Sequence, residues 1–546
     1  MFKIFSKPTH TITAAAALVA SFSLLSRLLG IFRDRILAGQ FGAGEVLDAY
    51  YAAFRIPDLI FNLLVLGALS AGFIPVFTGF IKDFSLNGKK NFLHNKEGWI
   101  VANNVLNLIL IALIAVSVLG IIFARPLTSL IVPGFSASLQ DTTVQLTRIM
   151  FLSPIFLGVS SILGGVLQSF KKFFAYSLAP IMYNLGIIFG VLYLVPKIGL
   201  MGLAWGVVLG AFLHMMIQLP ATINSGFRYC LLINLKHPGV KKILKMMVPR
   251  TMALAVNQIN LLVITIVASS LVVGSLTVFN LANNLQSFPI GIFGISFAIA
   301  AFPTFSRLSR DKDKEKLKES FSKTFRTILF FVIPATVLLI TLRAQIIRII
   351  LGTGAFNWQD TILTMDTLGM FALSLFAQAS IPLLVRVFYA RHNSATPFWL
   401  GLVSMAVNVM LSFYFANQMG VAGLALAFSI SAILNFLLLW IFLHHQLGDL
   451  NEKGILISIA KFSVAAIVAG VTVQVAKVVI WPFVDMSTFM GIFWQGLGAG
   501  VAGIVVYVLL CSLFKVEEIK VLKQSLRRRL PWNKVDTEDQ GQAQGI

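Results

Sequence analysis

The chain is a succession of apolar windows, each about twenty residues long, the length a helix needs to cross bilayer hydrocarbon. Fourteen such windows are read, near 11–32, 52–80, 99–123, 143–169, 174–195, 200–220, 249–272, 276–304, 325–342, 363–389, 397–416, 420–443, 455–480 and 489–514. They leave no polar stretch longer than a few dozen residues, which excludes a sizeable aqueous domain. Composition agrees: 58% of residues are hydrophobic and 12% charged, against roughly 45–50% and about 25% in soluble domains. The predicted class is an all-α integral membrane protein. The second and eighth windows hold Pro57, Pro75, Pro289 and Pro303, so bent helices are expected there.

A net charge of +22 on a soluble protein would suggest nucleic acid. Here the Lys and Arg lie in short connections between apolar windows, and no nucleic-acid partner is expected. The basic connections are every second one: 82–98, 171–172, the acid-free stretch 221–250, and 306–326, followed by the basic tail 523–534. That alternation predicts both termini in the cytoplasm. The first outward connection, with Arg33 and Arg35, breaks the rule, so those arginines serve something other than topology. Lys3 and Lys7 before an apolar run imitate a secretory signal. The run continues to Phe32, beyond the usual 7–15 residues of a signal core, and reads as an uncleaved first helix.

The two halves echo one another. "IGLMGLAWG" (198–206) recurs as "MGVAGLALA" (419–427), sharing Gly-x-x-Gly-Leu-Ala, and "FIPVF" (73–77) is echoed by "AFPTF" (301–305). Each motif alone is weak, since small residues mark close helix packing throughout membrane proteins. At consistent topological positions they predict two pseudo-repeated six-helix lobes plus two C-terminal helices. The expected boundaries are 1–220 for the first lobe, 221–248 for a basic cytoplasmic linker and 249–446 for the second lobe. The last two helices fall in 447–514 and a basic tail in 515–546. Two-bundle transporters hold their substrate between bundles and alternate access to it.

Charges near hydrocarbon cost roughly 2.5–3.5 kcal/mol each on insertion scales, so each asks for a partner or a task. Arg27 and Asp34 lie about 10 Å apart along a helix, too far to pair directly. Arg27 and Arg33 therefore call either for an interhelix acid, such as Asp48 or Asp58, or for an anion in a water-filled cavity. Arg55 and Asp58 are spaced to neutralise one another. Asn280, Asn283 and Asn284 share a helix face, suited to helix packing or to sugar and peptide groups. Cys230 and Cys511 give no metal spacing. No phosphate-cradling loop or nucleophile elbow occurs. A transporter without cofactor is expected rather than an enzyme, with coupling to membrane potential or to a monovalent cation left open.

"SRLLGIFRD" (26–34), "FGAGEVLDAYYAAFRIPD" (41–58), "ALSAGFIPVF" (68–77) and "SFPIGIFGISFAIAAFPTFSRL" (287–308), with the fourteen-span layout, resemble the MurJ (MviN) family of lipid II flippases, in the MOP superfamily. The resemblance implies a flippase in the bacterial cytoplasmic (inner) membrane that moves lipid II from the inner to the outer leaflet. Its substrate is then an undecaprenyl-diphosphate-linked disaccharide pentapeptide, with membrane lipid as the surrounding partner. Arg27 and Arg33 match the family's diphosphate-binding arginines, with Asp34 and Asp48 as acidic companions. Two further family arginines fall at Phe61 and Asn284 here. Arg55, Asn280 and Asn284 complete the expected substrate-binding set. The rival reading is a related MOP-type exporter of another polyprenyl-linked glycan or of drugs. The basic first helix argues against the drug exporter.

Overall fold

A computed structural model describes residues 12–66, 72–81 and 96–519. Lys3, Lys7, most of the basic connection 82–98 and the basic tail 523–534 lie outside the described residues. The principal helices are α1 (Ile12–Phe41), α2 (Glu45–Ala53), α3 (Arg55–Phe61, continued by a π-helical turn, Asn62–Leu66), α4 (Ile74–Phe80), α5 (Lys96–Ile122), α6 (Ala124–Ile131), α7 (Ala137–Met150), α8 (Ser153–Ser169), α9 (Phe173–Phe189), α10 (Met201–Met216) and α11 (Pro238–Ser269). They continue with α12 (Ser275–Pro289), α13 (Ser296–Arg310), α14 (Lys314–Thr341), α15 (Arg343–Ile350), α16 (Trp358–Ala372), α17 (Leu375–Ala390), α18 (Ala395–Leu447), α19 (Glu452–Ile480) and α20 (Phe489–Leu513). No strand occurs among the described residues.

Among the described residues eleven helices are long and apolar enough to cross a membrane, or twelve if the bent pair α16–α17 counts as one span. The expected window 363–389 is that pair, bent by 46° at Leu373 and Ser374. The 53-residue α18 is two helices meeting at Gly420, whose φ of 59° and ψ of −136° leave the helical region. Only glycine adopts that conformation without strain, so the windows 397–416 and 420–443 meet at this residue. α1 falls outside the count of spans and carries Arg27, Arg33, Asp34 and Arg35 in its C-terminal half.

The chain divides into two compact units. The first comprises residues 1–277 and 353–357, the second 278–352 and 358–546. α11 packs within the first unit. Thr251 Oγ1 donates to Leu63 O at 3.1 Å, and Gly134 N–H donates to Ser269 Oγ at 3.4 Å. Residues 238–248 of the expected linker are the start of α11, opened by Pro238 and by His237, whose Nδ1 accepts from Gly239 N–H at 3.1 Å. Phe73, Phe77, Val105, Ile162, Val166 and Phe170 centre one buried core of the first unit. Phe321, Phe325, Phe330, Phe388, Phe462 and Tyr507 centre that of the second. Phe462 and Tyr507 bring α19 and α20 into that core, and the Tyr507 hydroxyl donates to Phe330 O at 2.8 Å.

α9 and α10 touch backbone to backbone. A Cβ built on Gly186 would lie 2.3 Å from Gly210 Cα, and one on Gly190 2.4 Å from Gly206 Cα. The turn before α10 has Gly199 at φ 65°, ψ −154°, close to the conformation of Gly420. In both turns the next shared glycine is closed in by backbone about two turns upstream. A Cβ on Gly202 would lie 2.5 Å from Val195 N, and one on Gly423 2.1 Å from Phe415 O. The repeated Gly-x-x-Gly is therefore one turn built twice.

Candidate functional site

The C-terminal half of α1 carries Arg33 and Arg35, expected in the first connection and placed by the structure within the helix. Arg33 donates from Nε and Nη2 to Asp34 Oδ1 at 3.0 and 2.7 Å, and from Nη1 to Asn184 Oδ1 of α9 at 3.1 Å. Asn184 is itself oriented, its Nδ2 donating to Pro180 O at 3.1 Å and to Ser26 O at 3.3 Å. The Arg33 side chain keeps 20% of its surface exposed while that of Asp34 keeps 7%. Three of five guanidinium N–H groups are thus used by neighbours that fix its plane. Arg27, two turns earlier on α1, is half-buried.

Asp48 has a different setting. It is 3% exposed, and its two oxygens take the turn between α11 and α12. Oδ2 accepts from Gly274 N–H at 2.7 Å, and Oδ1 accepts from Thr277 N–H at 2.8 Å and Thr277 Oγ1 at 2.6 Å. Gly274 has φ 91°, and a Cβ there would meet Ala43 O at 2.0 Å, so glycine is required where this turn meets the start of α2. Arg55 turns to α11, donating from Nε to Thr265 Oγ1 at 2.8 Å. Asn62 Nδ2 donates to Asp58 O at 2.7 Å. Within the first unit, Arg33, Asp34 and Asn184 form one hydrogen-bonded group, Asp48 binds the turn between α11 and α12, and Arg55 donates to α11.

In the second unit Asn280 is half-buried and Asn284 exposed on α12. Asn283 begins a chain of neutral groups. Its Oδ1 accepts from Gln286 Nε2 at 3.0 Å, and Gln286 Oε1 accepts from Gln378 Nε2 at 2.9 Å. Gln378 Nε2 also donates to Ser374 Oγ at 2.8 Å, and Ser374 pairs with Ser429 Oγ at 2.9 Å. Ser429 Oγ donates to Met370 O at 2.8 Å. The chain thus runs from α12 to the bend between α16 and α17. Among the described residues no three His, Cys, Asp or Glu side chains come together as a metal site would require.

Sequence reasoning missed Asn184, Gln378 and Ser374. The available signal was an uncharged polar side chain in a largely apolar span. Each is the kind of group that pairs across membrane helices.

The family model described as Lipid II flippase MurJ matches residues 37–494. A lipid II flippase MurJ of Burkholderia cenocepacia is 29% identical over 431 residues, covering 78% of this chain and 82% of its own. A probable lipid II flippase MurJ of Vibrio cholerae is 29% identical over 523 residues, covering 92% and 96%. One from Bdellovibrio bacteriovorus is 31% identical over 431 residues, covering 78% and 80%. A solved structure of lipid II flippase MurJ in an inward closed conformation superposes with a TM-score of 0.75 at 26% identity, covering 92% of this chain and all of that one. An inward-facing MATE family multidrug transporter of the MOP superfamily shares the fold, with a TM-score of 0.65 at 15% identity and coverage of 80% and 99%. The chain belongs to the MurJ family of lipid II flippases.

Proposed function

We propose that the chain carries lipid II across the bacterial inner membrane by alternating access, as a transporter and not an enzyme, with the Arg33 guanidinium meeting the diphosphate of the substrate. The observation that carries this reading is the state of Arg33. Asp34 and Asn184 hold its plane, leaving two of its N–H groups for an incoming anion. A guanidinium so held loses little freedom on binding and offers paired N–H groups to phosphate oxygens. Arg27, on the same helix, is the second cation of this reading. Asp48 acts through the α11–α12 turn, and Arg55 through α11, as positioning residues. Asn280 and Asn284 serve the sugar and peptide portion, replacing charge with neutral hydrogen-bonding groups.

In this reading fourteen spans form two six-helix lobes followed by two C-terminal helices, and both termini face the cytoplasm. Kinks at the bent α16–α17 pair and at Gly420, together with α1, supply the spans beyond those counted by length and composition. The substrate is an undecaprenyl-diphosphate-linked disaccharide pentapeptide, and membrane potential or a monovalent cation supplies the energy.

The test is translocation of lipid II by the purified protein in vesicles. Arg27→Ala combined with Arg33→Ala is expected to reduce it at least ten-fold while the protein still folds. Unimpaired translocation by that variant would overturn the site.

A further inference from the structure

Between α10 and α11 the chain runs without helix through Phe227–Asn234 and turns at Leu235 and Lys236, with Leu232 N–H donating to Cys230 O at 2.9 Å and His237 N–H to Asn234 O at 3.3 Å. It is held along one edge by three asparagines of α5, buried to 3% exposure or less. Asn103 Oδ1 accepts from Cys230 N–H at 2.9 Å while its Nδ2 donates to Arg228 O at 3.0 Å. Asn107 Nδ2 donates to Cys230 O and Leu232 O at 2.9 and 3.0 Å, and Asn104 Oδ1 accepts from Asn234 N–H at 2.6 Å. These amides stand where a neighbouring strand would. Phe227, buried against Trp99 at 5.9 Å between ring centres, pins one end, and the His237 cap of α11 pins the other.

Every backbone group bound by the asparagines belongs to an even-numbered residue. Side-chain character alternates along the same stretch, apolar at odd positions and mostly polar at even ones. The odd positions carry Tyr229, Leu231, Ile233 and Leu235, exposed to 58%, 71%, 55% and 57%. The even positions carry Arg228, Cys230, Asn234 and Lys236, all exposed, with half-buried Leu232 as the exception. The segment is a ribbon whose polarity alternates from Arg228 to Asn234, closed by the turn at Leu235 and Lys236. Around it, residues 221–250 hold six Lys and Arg and no Asp or Glu, with Lys241, Lys242 and Lys245 exposed at the start of α11.

Three demands fix where such a ribbon can rest. The backbone groups of Tyr229, Leu231 and Ile233 have no partner among the described residues, so the ribbon cannot lie in hydrocarbon. Four large apolar side chains on one face disfavour water. The flanking cations attract phosphate. Only the boundary between headgroups and acyl chains satisfies all three. We propose that residues 228–236 are a membrane-surface ribbon that seats Tyr229, Leu231, Ile233 and Leu235 in the headgroup layer of an anionic lipid leaflet, with Lys236, Lys241 and Lys242 on its phosphates.

The test uses the full chain with Cys511→Ala, carrying one bimane-labelled cysteine at a time. The cysteine is the native Cys230, or, in a Cys230→Ser background, Leu231→Cys, Ile233→Cys or Asn234→Cys. All four positions are exposed, so labels there displace no core packing. Each protein is reconstituted into phosphatidylcholine vesicles with or without phosphatidylglycerol. Quenching is read with nitroxide lipid labelled near the headgroup and with aqueous iodide. With phosphatidylglycerol, lipid quenching at 231 and 233 is expected to exceed that at 230 and 234 at least three-fold, with iodide giving the reverse order. Omitting phosphatidylglycerol, or combining Lys236→Gln, Lys241→Gln and Lys242→Gln, is expected to reduce the lipid quenching at least two-fold. Equal quenching at all four positions, as in a free loop, overturns the ribbon. Shielding from both quenchers overturns it too, since a protein strand would then cover the free edge. Alternation unchanged without phosphatidylglycerol overturns the anionic recognition.

Discussion

The turn at Gly199–Gly202 in the first unit and the turn at Gly420–Gly423 in the second share one backbone, yet the polar clusters described above in the two units differ in kind. The first unit holds ionised groups, Arg33 with Asp34, Asp48 and Arg55, each with a partner on another element or in the adjacent position. The second holds an uncharged chain, Asn283–Gln286–Gln378–Ser374–Ser429, in which amides and hydroxyls satisfy one another. The likeness lies in backbone geometry and the difference in electrostatics. Steric requirements at a glycine turn leave no latitude, whereas polar partners can be exchanged wherever the new set is satisfied as a whole.

The largest effect should come from attacking the shared turn. Gly202→Leu and Gly423→Leu each place a side chain where a Cβ alone would sit 2.5 and 2.1 Å from backbone. Each should cost about 3 kcal/mol or more, seen as loss of monodisperse protein in detergent. A large effect in one unit and none in the other would break the likeness. Next is Asp48→Ala, which strands the buried N–H groups of Gly274 and Thr277. About 3 kcal/mol is expected, read as a lowered Tm and faster proteolysis near 270–277, with Asp48→Asn recovering part of it. In the second unit, Gln378→Leu interrupts the neutral chain and should cost only about 1 kcal/mol. A cost equal to that of Asp48→Ala would erase the contrast between the units.

The smallest effect concerns the start of α14. The Asp313 carboxylate pairs with Lys316 Nζ at 2.9 Å and accepts from Lys316 N–H at 3.1 Å. These bonds hold its pKa below the ordinary carboxylate value. Its contribution is therefore complete above the ordinary Asp range and is lost as pH falls through the depressed folded value. Amide exchange at Lys316, corrected for intrinsic rate, should rise at that low pH and be fast at every pH in Asp313→Ala.

Eleven or twelve of the expected spans were legible among the described residues because hydropathy over twenty residues is a local property. The glycine turns were legible because the motif repeats and its geometry demands glycine. Partnerships were less so. Arg55 and Asp58 have the spacing of a mutual pair and do act on one another, but nothing in that spacing shows that Arg55 Nε also donates to Thr265, 210 positions away. Asp48 read as a companion of the first-helix arginines, whereas its carboxylate closes a turn more than 220 positions downstream. Asn184 and the trio Asn103, Asn104 and Asn107 drew no notice. An amide on an apolar helix states a need for a partner but not where that partner lies, which depends on how helices distant in sequence come to pack.

The glycine contacts between α9 and α10 have a mechanical consequence. With backbone against backbone at Gly186–Gly210 and Gly190–Gly206, no compliant side chain separates the two helices. Packed this closely, they form one strut. Asn184 sits on that strut half a turn from Gly186, and Arg33 takes its bearing from Asn184. A tilt of α10 during transport would therefore reach the guanidinium with nothing soft in between to absorb it, and the aim of the arginine would follow the travel of a helix it does not touch.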